Sequence, residues 1–194
     1  MGKIFYILGK SASGKDSIYT ALLAKSELGL RKVITYTTRP MRVGEKDGEE
    51  YFFVSDERIE ELRGAGRIIE EKTYNTVYGP WIYATVDDGQ IDLSKGNYLM
   101  ASVLGAYIDV RNYYGAEHVI PIYIEVEDGE RLIRAIERER KGDLKFEEMC
   151  RRFLADTKDF SEENLEKGGI KKRFENDDYD RCVTQIADYI KSYE

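Results

Sequence analysis

The chain of 194 residues is 42% hydrophobic and 35% charged, enough to bury the core of one α/β domain with insertions and still solvate its surface. A formal net charge of -7 disfavours a general nucleic-acid binder. Two cysteines outside any C-x-x-C pair and a single histidine, His118, argue against a zinc site and against Ser-His-Asp or Cys-His catalysis. The sequence opens on a strand-like run without a signal-peptide pattern and has no apolar stretch of membrane-spanning length, so a cytoplasmic protein without a membrane partner is expected.

In chain order, "KIFYIL" is an apolar run ending at Gly9 and reads as a buried strand. "GKSASGKDS" follows, and Ile18, Ala21 and Leu22 then recur at helical spacing, predicting a helix from about Lys15 to Lys25. Residues 31–92 carry short strand signals, "VITYTT", "EYFFV", "RIIEE" and "WIYAT". A short helix interrupts them, with Ser55 as its N-cap, Asp56 and Glu57 in its first turn and Ile59 and Leu62 turned inward. Further buried strands are predicted at "YLMASV", "VIPIYIEV" and "KKRFEN", and a last helix from about Tyr179 to Ser192. Strands alternating with helices predict an α/β fold with a parallel sheet. The expected organisation is a P-loop core of residues 1–30 and 93–194, a small mixed or antiparallel insert of residues 31–92, and a helical lid at about 136–152.

The glycine loop carries the most chemistry. Gly9, Gly14 and Lys15 complete G-x-x-x-x-G-K between a strand and a helix, the context in which backbone N–H groups and the positive helix end enclose phosphate. Ser11 and Ser13 add donors, and Lys15 is placed to neutralise a transferring phosphoryl group. A hydroxyl normally follows the lysine and contacts Mg²⁺; here that residue is Asp16, and Ser17 comes one step late, turned by about 100° around the helix. The expectation is that Asp16 ligates Mg²⁺ directly or through water. An acid in a first helical turn is also favoured by the dipole alone, by about 0.3–1 kcal/mol.

Two basic islands stand out in an acidic protein. Residues 131–152 hold eight Lys/Arg (131, 134, 138, 140, 141, 145, 151, 152) against five acids, and residues 31–46 hold five against one. They suit small polyanionic ligands or two solvated faces. Arg39 and Arg42 could grip one phosphate in bidentate fashion, with Tyr51 and Tyr78 offering phenolic hydroxyls.

"GKSASGK", "TTRPMRVGEKDGEEYFFVS", "IIEEKTYNTVYG", "LIRAIERER", "MCRRFLADT" and "FENDDYD", in that order, span nearly the whole chain. With them the sequence resembles the guanylate kinase family of P-loop nucleoside monophosphate kinases. The resemblance implies a P-loop NTPase-like parallel sheet flanked by helices, a monophosphate-binding insert and an arginine-rich lid. It implies GMP or dGMP as acceptor, ATP as co-substrate with Mg²⁺, and small nucleotides as partners. Carried over by position, Arg39, Arg42, Tyr51 and Tyr78 bind the monophosphate, Glu70 accepts from the guanine ring N–H and amine, and Thr35 contacts the base edge. Lys15, Arg39, Arg138 and Arg152 are the catalytic cations, and Asn176 lies against the adenine.

Two further departures from the family pattern bear on the acceptor. Where the family often carries D-x-D and Q-G, this chain has Met100, Ser102 and Leu104 with Gly105 kept, and Asp16 could replace the lost acid. Where a small hydroxyl residue commonly follows the glycine of "VYG", this chain has Pro80, which has neither hydroxyl nor N–H. A kinase of a different monophosphate or phosphorylated small molecule, and a non-catalytic phosphopeptide-binding module, are the alternative readings.

Overall fold

The computed structural model describes residues 1–76, 79–142 and 144–193. Its core is a five-stranded parallel sheet in the order β2-β7-β1-β8-β9, formed by Arg31–Lys32, Tyr98–Ser102, Ile4–Gly9, Val119–Glu125 and Arg173–Glu175. The central strand β1 is buried along all six residues, as expected of a strand covered on both faces. Its side chains alternate between two clusters. Ile4, Tyr6 and Leu8 join Leu104, Tyr107 and Val110 of α3 (Leu104–Tyr114). Phe5 and Ile7 join Ile18 and Leu22 of α1 (Lys15–Leu23) and Val183, Ile186 and Ile190 of α7 (Tyr179–Lys191).

A second sheet has the order β4-β3-β6-β5, built from Phe52–Phe53, Tyr36–Thr37, Gly79–Val86 and Ile68–Thr76. The β5–β6 and β3–β6 pairs are antiparallel and the β3–β4 pair is parallel, so the sheet is mixed as predicted. Its apolar face is closed by α2 (Asp56–Gly64), where Ile59 and Leu62 pack on Ala84 and Val86. The Ser55 hydroxyl caps this helix by accepting from Arg58 N–H at 3.3 Å. Arg31 and Lys32, expected at the start of the insert, instead pair with Tyr98 and Leu99 at the edge of the core sheet. The arginine-rich segment is a pair of helices, α4 (Asp128–Lys141) and α5 (Phe146–Asp159), longer at both ends than the expected lid. A short helix α6 (Glu162–Lys167), not foreseen from the sequence, follows them. Among the described residues, no helix is long and apolar enough to cross a membrane.

Candidate active site

The loop between β1 and α1 depends on its two glycines. A Cβ on Gly9 would stand 2.5 Å from Ser13 Oγ, and one on Gly14 would stand 2.5 Å from Asn176 Nδ2. Gly14 also holds φ at 83°, which a side chain disfavours. Ser13 is buried, and its Oγ has no hydrogen-bond partner among the described residues. An orphaned hydroxyl inside a phosphate-shaped turn fits an oxyanion ligand, since buried polar groups are otherwise satisfied.

The loop is anchored from outside by α4, α5 and the C-terminal segment. Asn176 is buried and donates from Nδ2 to Ser13 O at 2.8 Å, so the amide expected against adenine is engaged beneath the loop. Ser11 N–H donates to Asp156 Oδ2 at 2.7 Å. Arg131, 1% exposed, donates to Ser11 O at 3.2 Å and lies 3.0 Å from Asp128 and 3.5 Å from Asp156. Its guanidinium sits 4.0 Å over the ring of Phe153. Sequence reasoning counted Arg131 only as part of a basic island; its spacing of three from Asp128 was the available signal.

Lys15 and Asp16 open on a cleft of about 620 Å³, whose other walls include Thr35, Tyr51, Glu70 and Arg152. Residues from the P-loop, both edges of the insert and the lid thus face one space. Asp16 is exposed and paired with Lys15. Ser17 is exposed too, and its carbonyl accepts from the Tyr179 hydroxyl at 3.1 Å. Among the described residues, no three His, Cys, Asp or Glu side chains gather into a metal cage. Mg²⁺ on nucleotide phosphates needs only one or two carboxylates, so the lone Asp16 suits it.

Glu70 is 8% exposed on β5, and its Oε1 accepts from Thr85 Oγ1–H at 2.8 Å across the β5–β6 pair. Burial raises its pKa; the Thr85 hydrogen bond and Lys72 oppose the rise, and Asp109 adds to it. The resemblance makes Glu70 the group that accepts from the acceptor base; on that reading the carboxylate form is required, and kcat/KM is expected to fall as pH drops through a pKa above the ordinary glutamate value. Glu70→Gln should remove that acid limb and lower kcat/KM for GMP by about 100-fold. A pH profile of both proteins checks this, and an unchanged limb in the variant would assign it elsewhere.

Arg39 does not point into the cleft. It is buried, held bidentately by Glu45 at 2.8 and 3.0 Å, and stacked 5.4 Å from the ring centres of Tyr51 and Phe53. The Glu45 carboxylate, kept below the usual range chiefly by Arg39, occupies the fork a phosphate would use. Glu45 also accepts from Arg42 N–H at 2.7 Å, while Arg42 itself is exposed. Tyr51 links this corner to the cleft it lines.

The family model for guanylate kinase matches residues 1–193. The chain belongs to the guanylate kinase family. It is 28% identical over 196 residues to the guanylate kinase of Porphyromonas gingivalis, covering 100% of this chain and 98% of that one. Identity to the Chromobacterium violaceum guanylate kinase is 27% over 197 residues, covering 99% and 86%. A shorter stretch of 79 residues is 43% identical to the Symbiobacterium thermophilum guanylate kinase, 40% of this chain and 37% of that one. The crystal structure of guanylate kinase from Anaplasma phagocytophilum superposes with a TM-score of 0.69 at 21% identity, covering 99% of this chain and 86% of that one. At that identity the likeness speaks for the fold.

Measured against the family's motif positions, the structure gathers Lys15, Asp16, Thr35, Tyr51, Glu70 and Arg152 around one cleft. Arg138 lies outside it, exposed and 3.8 Å from Glu139. The same buried Glu139 carboxylate lies 3.4 Å from Arg152, so one acid on α4 is within ion-pair reach of both arginines. Tyr78 lies outside the described residues. Ser102 lines the cleft beside Asp16, whereas Met100 is buried in the core. Thr85, Glu45 and Glu139 are site residues that sequence reasoning missed. Each of the three acts through a partner that the fold or a loop turn brings to it, Thr85 to Glu70, Glu45 to Arg39 and Glu139 to Arg152.

Proposed function

We propose that the protein is an ATP-dependent nucleoside monophosphate kinase that converts GMP or dGMP and ATP to GDP or dGDP and ADP by direct in-line transfer. The observation that carries this reading is the shared cleft, into which the P-loop lysine Lys15, the insert acid Glu70 and the lid cation Arg152 all open. Residues 31–92 are assigned to the acceptor nucleotide, with Arg31–Lys32 also edging the core sheet, and residues 1–30 and 93–194 to ATP. The acceptor phosphate is already ionised, so no general base is needed and catalysis consists of positioning and charge neutralisation. This suits a chain rich in arginine with one histidine.

Within this scheme Lys15 and Arg152 stabilise charge on the transferring group. Arg138 joins them when the lid closes, steered by Glu139. Arg39 and Arg42 take the acceptor phosphate once it displaces Glu45, with Tyr51 beside it and Tyr78 assigned to the same phosphate by motif position alone. Gly9, Ser11, Ser13, Gly14 and Ser17 form the cradle for ATP, and Asn176 braces it. Mg²⁺ bound to the nucleotide would be held by Asp16 and would offset phosphate charge. A cytoplasmic location belongs to the same reading, since free nucleotides are the substrates.

The test is an ADP-release assay across GMP, dGMP, IMP, AMP, CMP and UMP, with and without Mg²⁺. GMP and dGMP are expected to lead by about 100-fold or more. Faster turnover of another monophosphate, or none of any, would overturn the assignment. Asp16→Ala is expected to raise the Mg²⁺ concentration giving half-maximal turnover by about tenfold, roughly the 1.4 kcal/mol of one ligand contact. An unchanged Mg²⁺ titration would leave Asp16 with only its favourable place in the first helical turn.

A further inference from the structure

Lys72 is a cation in the acceptor pocket with no role so far. It follows Glu70 by two residues on β5, in regular register with β6, so both side chains leave one face of the strand and line the same cleft. Its Nζ lies 3.1 Å from where a Cβ on Gly105 would stand, at the first turn of α3. No acid occupies that turn and no side chain caps it, so the ammonium sits against the positive end of a helix, where a cation gains nothing locally. Its ion pair with Asp109 is 3.9 Å long, between side chains 41% and 45% exposed, and holds it only weakly. A lysine kept in such a place is available to a ligand.

The chemistry of the neighbouring acid indicates which ligand. The Oε1 of Glu70 accepts from Thr85, and the carboxylate faces the cleft as an acceptor for paired N–H donors. A guanine edge offers a ring N–H and an exocyclic amine, and next to them a carbonyl oxygen that needs a donor. Pro80 has no N–H, is exposed and does not line the cleft. A carboxylate and an ammonium two residues apart on one strand face match that donor–acceptor edge, and as a pair they carry no net charge, which suits a neutral base. We propose that Lys72 donates from its ammonium to the carbonyl oxygen of a 6-oxopurine whose ring N–H is accepted by Glu70, making Lys72 a specificity-determining residue of the acceptor site. This rests on the kinase reading above.

The experiment crosses a side-chain deletion with a single-atom change on the ligand. Dissociation constants are measured for GMP, for IMP, and for 6-thioguanosine 5′-monophosphate, which keeps the ring N–H and the amine but replaces the carbonyl oxygen by the much weaker acceptor sulfur, on wild type, Lys72→Met and Lys72→Arg. Lys72→Met is expected to weaken GMP and IMP by about 30-fold, as for a hydrogen bond to a charged group. It should change the 6-thioguanosine nucleotide by less than about threefold, the scatter of independent effects. Lys72→Arg, which keeps a donor, should recover most of the loss. The KM for ATP and the melting temperature should stay put in both variants. Equal weakening of all three nucleotides would mean that Lys72 attracts the phosphate and would overturn the proposal. Were wild type to phosphorylate some other monophosphate and not GMP, the kinase assignment itself would fall; GMP turnover with equal weakening sinks the role of Lys72 alone.

Discussion

Lys15→Met is expected to lower kcat for GMP phosphorylation by on the order of 10³, the lower range for removing a cation from a transferring phosphoryl group. Lys15 opens α1 directly after Gly14, so its ammonium projects from the mouth of the phosphate cradle into the cleft it shares with Arg152. Its ion pair is with the adjacent, exposed Asp16. Methionine keeps the apolar stem and the helix start and removes only the charge. The KM for ATP should therefore rise much less than kcat falls, because the loop's backbone donors and Ser13 remain. The melting temperature should stay within about 2 °C, since substitutions of this kind at a partly exposed position shift stability by roughly 0.5 kcal/mol or less. Steady-state kinetics and a thermal scan check both halves. A kcat within tenfold of wild type would place the lysine away from the reacting phosphorus.

Arg131→Met should be the most damaging substitution outside the cleft. The guanidinium is almost fully buried and joins α4 to Asp128, to Asp156 on α5 and to the carbonyl of Ser11 in the P-loop. Without the guanidinium Asp128 keeps Lys10 at 3.2 Å, but the largely buried Asp156 keeps only the Ser11 N–H, and the broken tie costs about 3 kcal/mol. For a domain of this size that is a fall in melting temperature of roughly 6–12 °C. Because Asp156 also accepts from Ser11 N–H, a displaced Asp156 would loosen the cradle, and the KM for ATP should rise with the loss of stability. Arg131→Lys keeps the charge without the planar fork, so it should recover part of the stability and less of the ATP affinity. A melting temperature within 2 °C of wild type for the methionine variant would show that the network is incidental.

Local pattern was enough for the elements that obey one period. β1, β7 and β8 are unbroken apolar runs, and α7 carries Val183, Ile186 and Ile190 at helical spacing. The P-loop was legible because its glycines answer a local backbone need. Arg152 was marked by its place in an ordered motif, and it lines the cleft. What failed to show was any feature made by pairing distant segments. β2 is two exposed residues whose strand character comes from Tyr98 and Leu99 across the sheet. Arg138 and Arg152 look alike in sequence, yet only one reaches the cleft, because they leave different helices around a shared Glu139.

The sequence by itself determined a parallel α/β core with a phosphate loop at the end of its first strand, since apolar periodicity and glycine spacing are properties of neighbouring residues. It also determined the family, through an ordered series of motifs. Only the tertiary structure decided that Arg131 is a buried tie and Arg39 a fork already filled by Glu45. Only the fold brought Lys72 against the first turn of α3. The physical reason is that a charge's task is set by its desolvation and by the partners that the fold brings within a few ångströms, and neither is written in the order of residues along the chain.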